Sequence, residues 1–240
     1  TTLKGFVGTV WWPNYILGSA TRPDNVNSLY SGSDDITKVN LSYALNNDSM
    51  MYVTFSEGYR PGGANRTTQL GATYDADFLE SKEIGFKSML MDGRLRLNGA
   101  LYIMDWDDIQ LGWFDSSISL LGLVDNIGKA ESDGTEIDLK YLVNDAVSIA
   151  VGFSENSTAL KEDYTLRGVV EARDGQDLPF TPDKKYNVTI NVDITDTSSF
   201  QFNHVFVDEM WNDLFYDDRE LQDSYAISNM SFTTQLGDNS

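Results

Sequence analysis

Short polar turns recur along this chain, and long segments of alternating apolar and polar residues lie between them. The turns fall near 46–48, 92–93, 144–145 and 195–197. Much longer aromatic and acidic connections separate one unit from the next, so each unit is predicted to be two long strands joined tightly at one end only. Short turns on one side and long loops on the other are typical of transmembrane β-barrels. The chain is therefore predicted to be all-β and to form part of an antiparallel transmembrane barrel.

Apolar and polar residues alternate clearly from residue 94 onward. One face of this segment carries Leu95, Leu97, Gly99, Leu101 and Ile103, and the other carries Arg94, Arg96, Asn98, Ala100 and Tyr102. The same split recurs in 135–141, 147–153, 186–194 and 200–206. A period of two is typical of strands that place one face against an apolar medium, either a bilayer or a second sheet. Length favours the bilayer, because a strand over 95–112 exceeds the roughly 9–11 residues needed to cross one.

Aromatic residues cluster near the predicted strand ends. Trp106, Trp113 and Phe114 follow one strand, and Tyr52 and Tyr59 belong to another. Aromatic girdles at the membrane–water interface of outer-membrane barrels have this distribution. Ordinary strand aromatics are the alternative interpretation for any single residue.

The chain is strongly acidic, with a formal net charge of −20 from 37 acidic and 17 basic residues. Such a surface repels phosphates, so no nucleic-acid partner is expected. The acids concentrate in the long connections at 155–163, 171–177 and 208–223. Solvated loop surface is the ordinary explanation of these runs, and a site for a divalent cation or a cationic ligand is the alternative.

The residue types needed for common catalytic and metal sites are scarce. Cysteine is absent, which excludes a thiol nucleophile and a zinc–thiolate site. His204 is the single histidine, so a two-histidine metal site is excluded and a Ser-His-Asp triad has no support. Asp105, Asp107 and Asp108 lack the spacing of a calcium loop. The sequence therefore predicts no enzyme, no catalytic residues, no metal site and no cofactor.

Several segments resemble the barrel of TonB-dependent outer-membrane receptors. In the segment 51–65 an aromatic strand ends in Gly58-Tyr59-Arg60-Pro61-Gly62-Gly63. The other similar segments are 80–87, 92–110, 126–136 and 178–182. Together they cover roughly residues 36–236 in the order of the family.

This resemblance implies a 22-stranded barrel, of which the chain would supply roughly eight to ten strands. Neither a plug domain with a TonB box nor a closing aromatic strand is visible in the sequence. Residues 1–240 are therefore expected to be a fragment of one barrel domain, without the plug domain and the C-terminal closing strands.

The resemblance also implies a location and a set of partners. It implies the outer membrane of a Gram-negative bacterium, contact with outer-membrane lipid, and active uptake powered by TonB through the missing plug domain. The expected ligand is a small molecule, an iron–siderophore or a similar ferric chelate.

Ligand binding would fall to the long loops and to the lumen wall beside them. The candidate ligand-binding residues are Tyr59 and Arg60 at the glycine-rich turn, with Trp113 and Phe114 in the following loop. An arginine can pair with an anionic ferric chelate, and aromatic rings can stack on a planar ligand. A rim girdle and a strand cap are the alternative, structural roles of these residues.

Two further functions stay open at this point. One is a secreted all-β carbohydrate-binding module whose apolar faces pack on each other, and the other is a non-gated porin. A soluble module would need short loops at both ends, whereas this chain has them at one end only. The isolated fragment is expected to aggregate outside detergent, because an open sheet exposes two edges and a lipid face.

Overall fold

The computed structural model describes residues 3–6, 29–32, 35–65, 73–113, 123–216 and 220–236. The strands within these ranges are β1 (Leu3–Phe6), β2 (Leu29–Gly32), β3 (Lys38–Ala44), β4 (Ser49–Arg60), β5 (Gly63–Ala64), β6 (Thr73–Tyr74), β7 (Asp77–Leu90), β8 (Leu95–Asp107), β9 (Gln110–Trp113), β10 (Leu123–Asn126), β11 (Ala130–Asn144), β12 (Val147–Leu160), β13 (Tyr164–Leu166), β14 (Val169–Ala172), β15 (Lys184–Thr195), β16 (Ser198–Val207), β17 (Met210–Trp211), β18 (Leu221–Gln222) and β19 (Tyr225–Thr234). No helix in the described part of the chain is long and apolar enough to cross a membrane.

Nine of the described strands form one sheet, in the order β19-β16-β15-β12-β11-β8-β7-β4-β3. Every neighbouring pair in this sheet is antiparallel, and each of its strands pairs with the next one along the chain. This sheet is called the wall below. The wall confirms the predicted all-β antiparallel fold and the expected number of strands.

The two ends of the wall differ in their connections. Short turns at 45–48, 91–94, 145–146 and 196–197 close one end, where the sequence predicts them. At the turn 91–94 the backbone of Met91 and Asp92 is left-handed, with φ near 55°, and Gly93 follows at 85°. An Asp-Gly pair in a tight hairpin favours this conformation.

Four long connections leave the other end of the wall, and each contains a short two-stranded ribbon. They are called the first (61–76), second (108–129), third (161–183) and fourth (208–224) connections, and they contain the pairs β5–β6, β9–β10, β13–β14 and β17–β18.

The wall separates apolar from polar side chains as the alternation predicts. Leu41, Val53, Ile84 and Leu101 lie opposite one another across β3, β4, β7 and β8, and all four are exposed. The other face carries a row that includes Tyr52, Gly85, Ala100 and Glu136. An apolar face of this extent, left uncovered by the protein, is the pattern of a strand wall that faces lipid.

Glycines in the wall make room for aromatic rings on the neighbouring strand. A Cβ at Gly85 would lie 2.5 Å from the ring of Tyr52, and one at Gly134 would lie 2.5 Å from the hydroxyl oxygen of Tyr102. Rings that lie over glycines on an adjacent strand help to fix strand register. These two pairs lie on the polar face.

The buried apolar core lies at the long-connection end. Its members are Ile109, Ile127, Ala130, Leu160, Tyr164, Ala172, Leu178 and Leu214. Ala130 begins β11 and Leu160 ends β12, whereas the other six belong to the second, third and fourth connections. The three connections therefore pack on one another and on the end of the wall.

One predicted strand is shorter than expected. The alternation predicts a strand over 95–112, but β8 ends at Asp107 and β9 begins at Gln110. Asp108 has a left-handed backbone with φ near 53°, which interrupts the strand. The apolar alternation of 95–103 gives way to Asp105, Asp107 and Asp108 at this break and resumes at Ile109 and Leu111. The run of aspartates was therefore the signal for the break.

Candidate functional site

The first and second connections meet at a buried carboxylate. Arg60, the last residue of β4, lies directly opposite Asp77, the first residue of β7. The Asp77 side chain is only 2% exposed. Its carboxylate accepts hydrogen bonds from Arg60 Nε at 3.1 and 3.0 Å, and Arg60 Nη2 donates to it as well. The Trp106 indole nitrogen donates at 3.2 Å and the Gln110 backbone nitrogen at 3.1 Å.

The side chain of Gln110 extends this contact to the first connection. Its amide nitrogen donates to the carbonyl oxygens of Pro61 at 3.1 Å and Asp75 at 2.8 Å. Arg60 Nη2 donates to the Gln110 carbonyl oxygen at 2.8 Å, and its guanidinium carbon lies 5.5 Å from the centre of the Trp106 ring. Asp77, Arg60, Trp106 and Gln110 are called the Asp77 cluster below.

Two asparagines join the same two connections through their amides. Asn126 accepts from the Asp75 backbone nitrogen at 2.7 Å and donates to the Asp75 carbonyl oxygen at 3.1 Å. Asn65 exchanges a similar pair of hydrogen bonds with Val124, at 2.8 and 3.0 Å. A side-chain amide has one donor and one acceptor end, so it can replace a backbone strand partner in this way.

The third and fourth connections are joined by different groups. Gln176 donates to the Leu214 carbonyl oxygen at 2.9 Å, and the Asp177 backbone nitrogen donates to the Tyr216 hydroxyl at 2.7 Å. The rings of Trp211 and Tyr216 stack with their centres 4.3 Å apart. Both rings belong to the fourth connection, so the two connections meet through the Gln176 amide, the Tyr216 hydroxyl and the apolar core around Leu214.

A single phenol joins the second connection to the third. The Tyr164 hydroxyl donates to Asp125 Oδ2 at 2.7 Å. Burial, and then the hydrogen bond to Asp125, raise the pKa of Tyr164 well above its ordinary value of 10.0. Tyr164 therefore stays protonated and keeps its donor. Nearby, the Lys129 backbone nitrogen donates to Glu162 at 2.9 Å.

Acidic side chains gather beside these connections. An open hollow of about 610 Å³ is lined in part by Glu131, Asp133, Glu155, Asp177, Asp183 and Lys184. Burial, and then the neighbouring carboxylate of Asp183, raise the pKa of Asp177 above its ordinary value of 3.8. Within the described ranges no group of three or more acidic or histidine side chains is arranged to hold a metal ion.

The structure describes three of the four predicted ligand-binding residues and places them at separate positions. The Tyr59 ring lies 5.5 Å from that of Phe78, and both residues are in register with the apolar face. Arg60 is bound to Asp77 on the opposite face, with 48% of its side chain still exposed. Trp113 ends β9 and pairs with Leu123 in the second connection, and Phe114 lies outside the described residues. A ligand-binding role for these four residues stays a prediction.

The residues that organise the site were not singled out as site residues from the sequence. Asp77, Gln110, Asn126 and Tyr164 are common polar residues, and their partners are 17 to 51 positions away. Trp106 was predicted as an interface aromatic, and its indole instead bonds to the buried Asp77. One signal in the sequence could have pointed to this site: Trp106 and Gln110 lie in the segment 92–110, which resembles the receptor family.

The wall and its connections define the class of protein. An antiparallel sheet with an exposed apolar face, short turns at one end and long structured connections at the other is a segment of an outer-membrane β-barrel. The family model described as "TonB dependent receptor-like, beta-barrel" matches residues 14–239. The chain belongs to this family, whose members are receptors of the Gram-negative outer membrane and not enzymes.

Individual relatives are distant. The ferric-pyoverdine 358 receptor of Pseudomonas putida is 25% identical over 118 residues, which are 48% of this chain and 14% of that receptor. The crystal structure of the ferric yersiniabactin uptake receptor of Yersinia pestis matches with a TM-score of 0.67 and 21% identity, over 86% of this chain and 31% of that one.

The closed form of the ferric-catecholate import receptor of E. coli K12 also has a TM-score of 0.67, with 19% identity over 90% of this chain and 30% of that one. The chain thus spans about a third of the solved receptors that it matches. These likenesses establish the shared fold.

Proposed function

We propose that this chain is part of a receptor that actively imports an iron–siderophore or a similar metal chelate across the outer membrane. The observation that carries the proposal is the joined set of long connections at one end of a lipid-facing wall, where a ligand arriving from outside would be held. The names of the three relatives support the choice of ligand, since each refers to a ferric chelate. TonB, acting through a plug domain, is the proposed source of energy.

The proposed ligand contacts are Tyr59, Arg60, Trp113 and Phe114. Trp113 and Phe114 belong to the second connection and offer rings for stacking. Arg60 offers a side chain that is 48% exposed and whose charge is already paired with Asp77. An anionic chelate would therefore meet an ion pair at this position, and not a free cation. Tyr59 would contribute only to a ligand that reaches the rim of the wall.

Uptake measurements test the proposal. Cells that lack the gene and carry a plasmid copy are given radioactive iron with a panel of ferric chelates, in the presence and absence of TonB. Uptake of one chelate that requires both the receptor and TonB is expected. Uptake of small solutes that needs the receptor but not TonB would instead support the non-gated porin, and no effect on any chelate would overturn the iron assignment.

Single substitutions test the ligand contacts. Replacing Trp113 or Phe114 by alanine is expected to weaken binding of the imported chelate about 3- to 10-fold, as for the loss of one stacking contact. Tyr43→Ala is the matched control, because Tyr43 is an exposed aromatic on β3 close to the short-turn end. Equal effects of all three substitutions would contradict the assignment of these contacts.

A further inference from the structure

We infer that Asp77 is a positioning residue that fixes the first and second connections as one unit and orients Arg60 between them. Its importance for uptake rests on the proposed function, since these connections are the proposed place of ligand binding. The mechanical role itself rests on geometry alone.

Burial makes Asp77 unusual among the acids of this chain. Asp77 is the only carboxylate that is buried in the described ranges, whereas most acids lie on exposed surface. A buried carboxylate is tolerated only when its oxygens are filled by donors, because it has lost its water. Asp77 takes these donors from β4, β8 and β9, and from no residue of its own strand. The carboxylate is thus satisfied only when these parts of the chain are assembled.

Arg60 depends on Asp77 for its position. Two nitrogens of its guanidinium bond to the carboxylate, and Nη2 also bonds to the Gln110 carbonyl oxygen in the second connection. This planar, two-pronged geometry holds an arginine far more tightly than a single contact would. Without the Asp77 charge, Arg60 would keep the bond to Gln110 and the contact with the Trp106 ring.

The second connection depends on the same group. Gln110 is the first residue of β9. Its backbone N–H donates to Asp77, and its side-chain amide donates to carbonyl oxygens of the first connection. Loss of the carboxylate would therefore loosen both connections at once. The third and fourth connections share the apolar core with the second, and Tyr164 of the third bonds to Asp125 of the second. They also contact each other through Gln176 and Tyr216, away from Asp77, so they are expected to respond less than the first two.

Hydrogen exchange measured by mass spectrometry tests this inference on the full-length receptor in detergent. In Asp77→Asn the side chain keeps its size but loses its charge and half of its acceptor capacity. Amides of the first and second connections are expected to exchange at least about tenfold faster, because hydrogen bonds to a charged group are lost. Amides of the third and fourth connections, which contact the second through the apolar core and Tyr164, are expected to change much less.

Asp105→Asn is the matched control. It makes the same chemical change on β8, at a side chain that is 49% exposed and pairs with Lys82 at 3.3 Å. No change in any of the four connections is expected, because an exposed ion pair contributes little. A response to Asp105→Asn equal to that of Asp77→Asn would overturn a specific role of Asp77.

Arg60→Lys provides a second variant in case Asp77→Asn does not fold. It keeps the positive charge but loses the two-pronged donation, so a smaller increase is expected in the same two connections. The inference is overturned if exchange rises in only one of the first and second connections, or rises equally in all four connections. It is also overturned if neither Asp77→Asn nor Arg60→Lys changes the exchange rates.

The exchange experiment needs no ligand, so its outcome is separate from that of the uptake assay. A receptor that imports no iron chelate but shows the paired response would keep the role of Asp77 and lose the proposed function. A receptor that imports a chelate but does not show faster exchange in both connections would keep the proposed function and lose the role of Asp77.

Discussion

The wall and the long connections of this chain are stabilised by different interactions. In the wall, backbone hydrogen bonds link nine strands, and apolar side chains such as Leu41 stay 72% exposed. At the long-connection end, Leu160 is fully buried and Asp77 nearly so. The wall has lipid as a partner for its apolar face, whereas the connections meet water and must bury their apolar groups in one another. The connections therefore behave as a small globular unit attached to one end of a membrane wall.

The largest expected effect is on that globular unit. Leu214 is 1% exposed in the core that joins the second, third and fourth connections. Leu214→Ala is expected to lower the local stability of these connections by about 2–5 kcal/mol through lost burial and the cavity left behind. Hydrogen exchange in the fourth connection would rise, while the strands of the wall keep their protection.

The matched control for Leu214 is Leu221→Ala in the same connection, where the side chain is exposed. If Leu214→Ala lowers the protection of the wall as much as that of the connections, the two regions unfold together. The connections would then not be a separate globular unit.

The wall is tested by placing a charge on each of its faces. Val188 and Thr189 are neighbours on β15, and their side chains lie on the apolar and the polar face. Val188→Lys is expected to destabilise folding into bilayers by about 2–4 kcal/mol, as for a lysine near the membrane midplane. Thr189→Lys should change stability much less, because its charge meets the polar lumen.

Urea titration of the refolded full-length barrel in lipid vesicles measures both free energies of unfolding. Similar losses for the two variants would mean that the apolar face is not the one that contacts lipid.

The sequence predicted the wall well because its signal is local. The alternation in 135–141 and 147–153 needs no knowledge of distant residues, and both segments lie in confirmed strands, β11 and β12. The turns at 92–93 and 144–145 were likewise predicted from adjacent polar residues. Each of these features follows from the period of two and from turn chemistry.

The site was not predictable in the same way. The Arg60 contacts with Asp77 and Gln110 join residues 17 and 50 positions apart, and nothing in the local pattern marks them as partners. The break at Asp108 was also missed, although Asp105, Asp107 and Asp108 interrupt the apolar alternation there. Contacts between loops depend on which connections the wall brings side by side, so they follow from the fold and not from the local sequence.

A smaller effect is expected at the contact between the second and third connections. Tyr164→Phe removes the hydroxyl that donates to Asp125 at 2.7 Å but leaves the ring in the core. Loss of a hydrogen bond to a charged group is expected to cost about 1.5–3 kcal/mol of local stability. Exchange in 123–129 and 164–166 should rise together.

Tyr225→Phe, at an exposed phenol that begins β19, is the control for Tyr164 and should leave both segments unchanged. If exchange rises in 164–166 alone, the bond to Asp125 does not hold the two connections together.

The smallest expected effect is a pH dependence of the stability of the long-connection end. Burial, and then Asp183, raise the pKa of Asp177 above its ordinary value of 3.8. The folded chain thus binds this proton more tightly than the unfolded chain does, so stability rises as pH falls through the raised pKa towards 3.8 and is lost as pH rises. Asp177→Asn should flatten this dependence and slightly stabilise the third and fourth connections at neutral pH.

The stacked rings of Trp211 and Tyr216, 4.3 Å apart, provide a reporter for this change, because Asp177 bonds to the Tyr216 hydroxyl through its backbone. Thermal unfolding of this end is followed by tryptophan fluorescence in a series of buffers from neutral pH down to the ordinary value of 3.8, since the stabilisation is complete only below it. Asp174→Asn removes an exposed carboxylate from the same connection and serves as the control. If the two substitutions change the pH dependence equally, the effect comes from the overall negative charge of the connections. A change confined to Asp177→Asn would instead locate the effect at the carboxyl whose pKa is raised by burial and by the neighbouring Asp183.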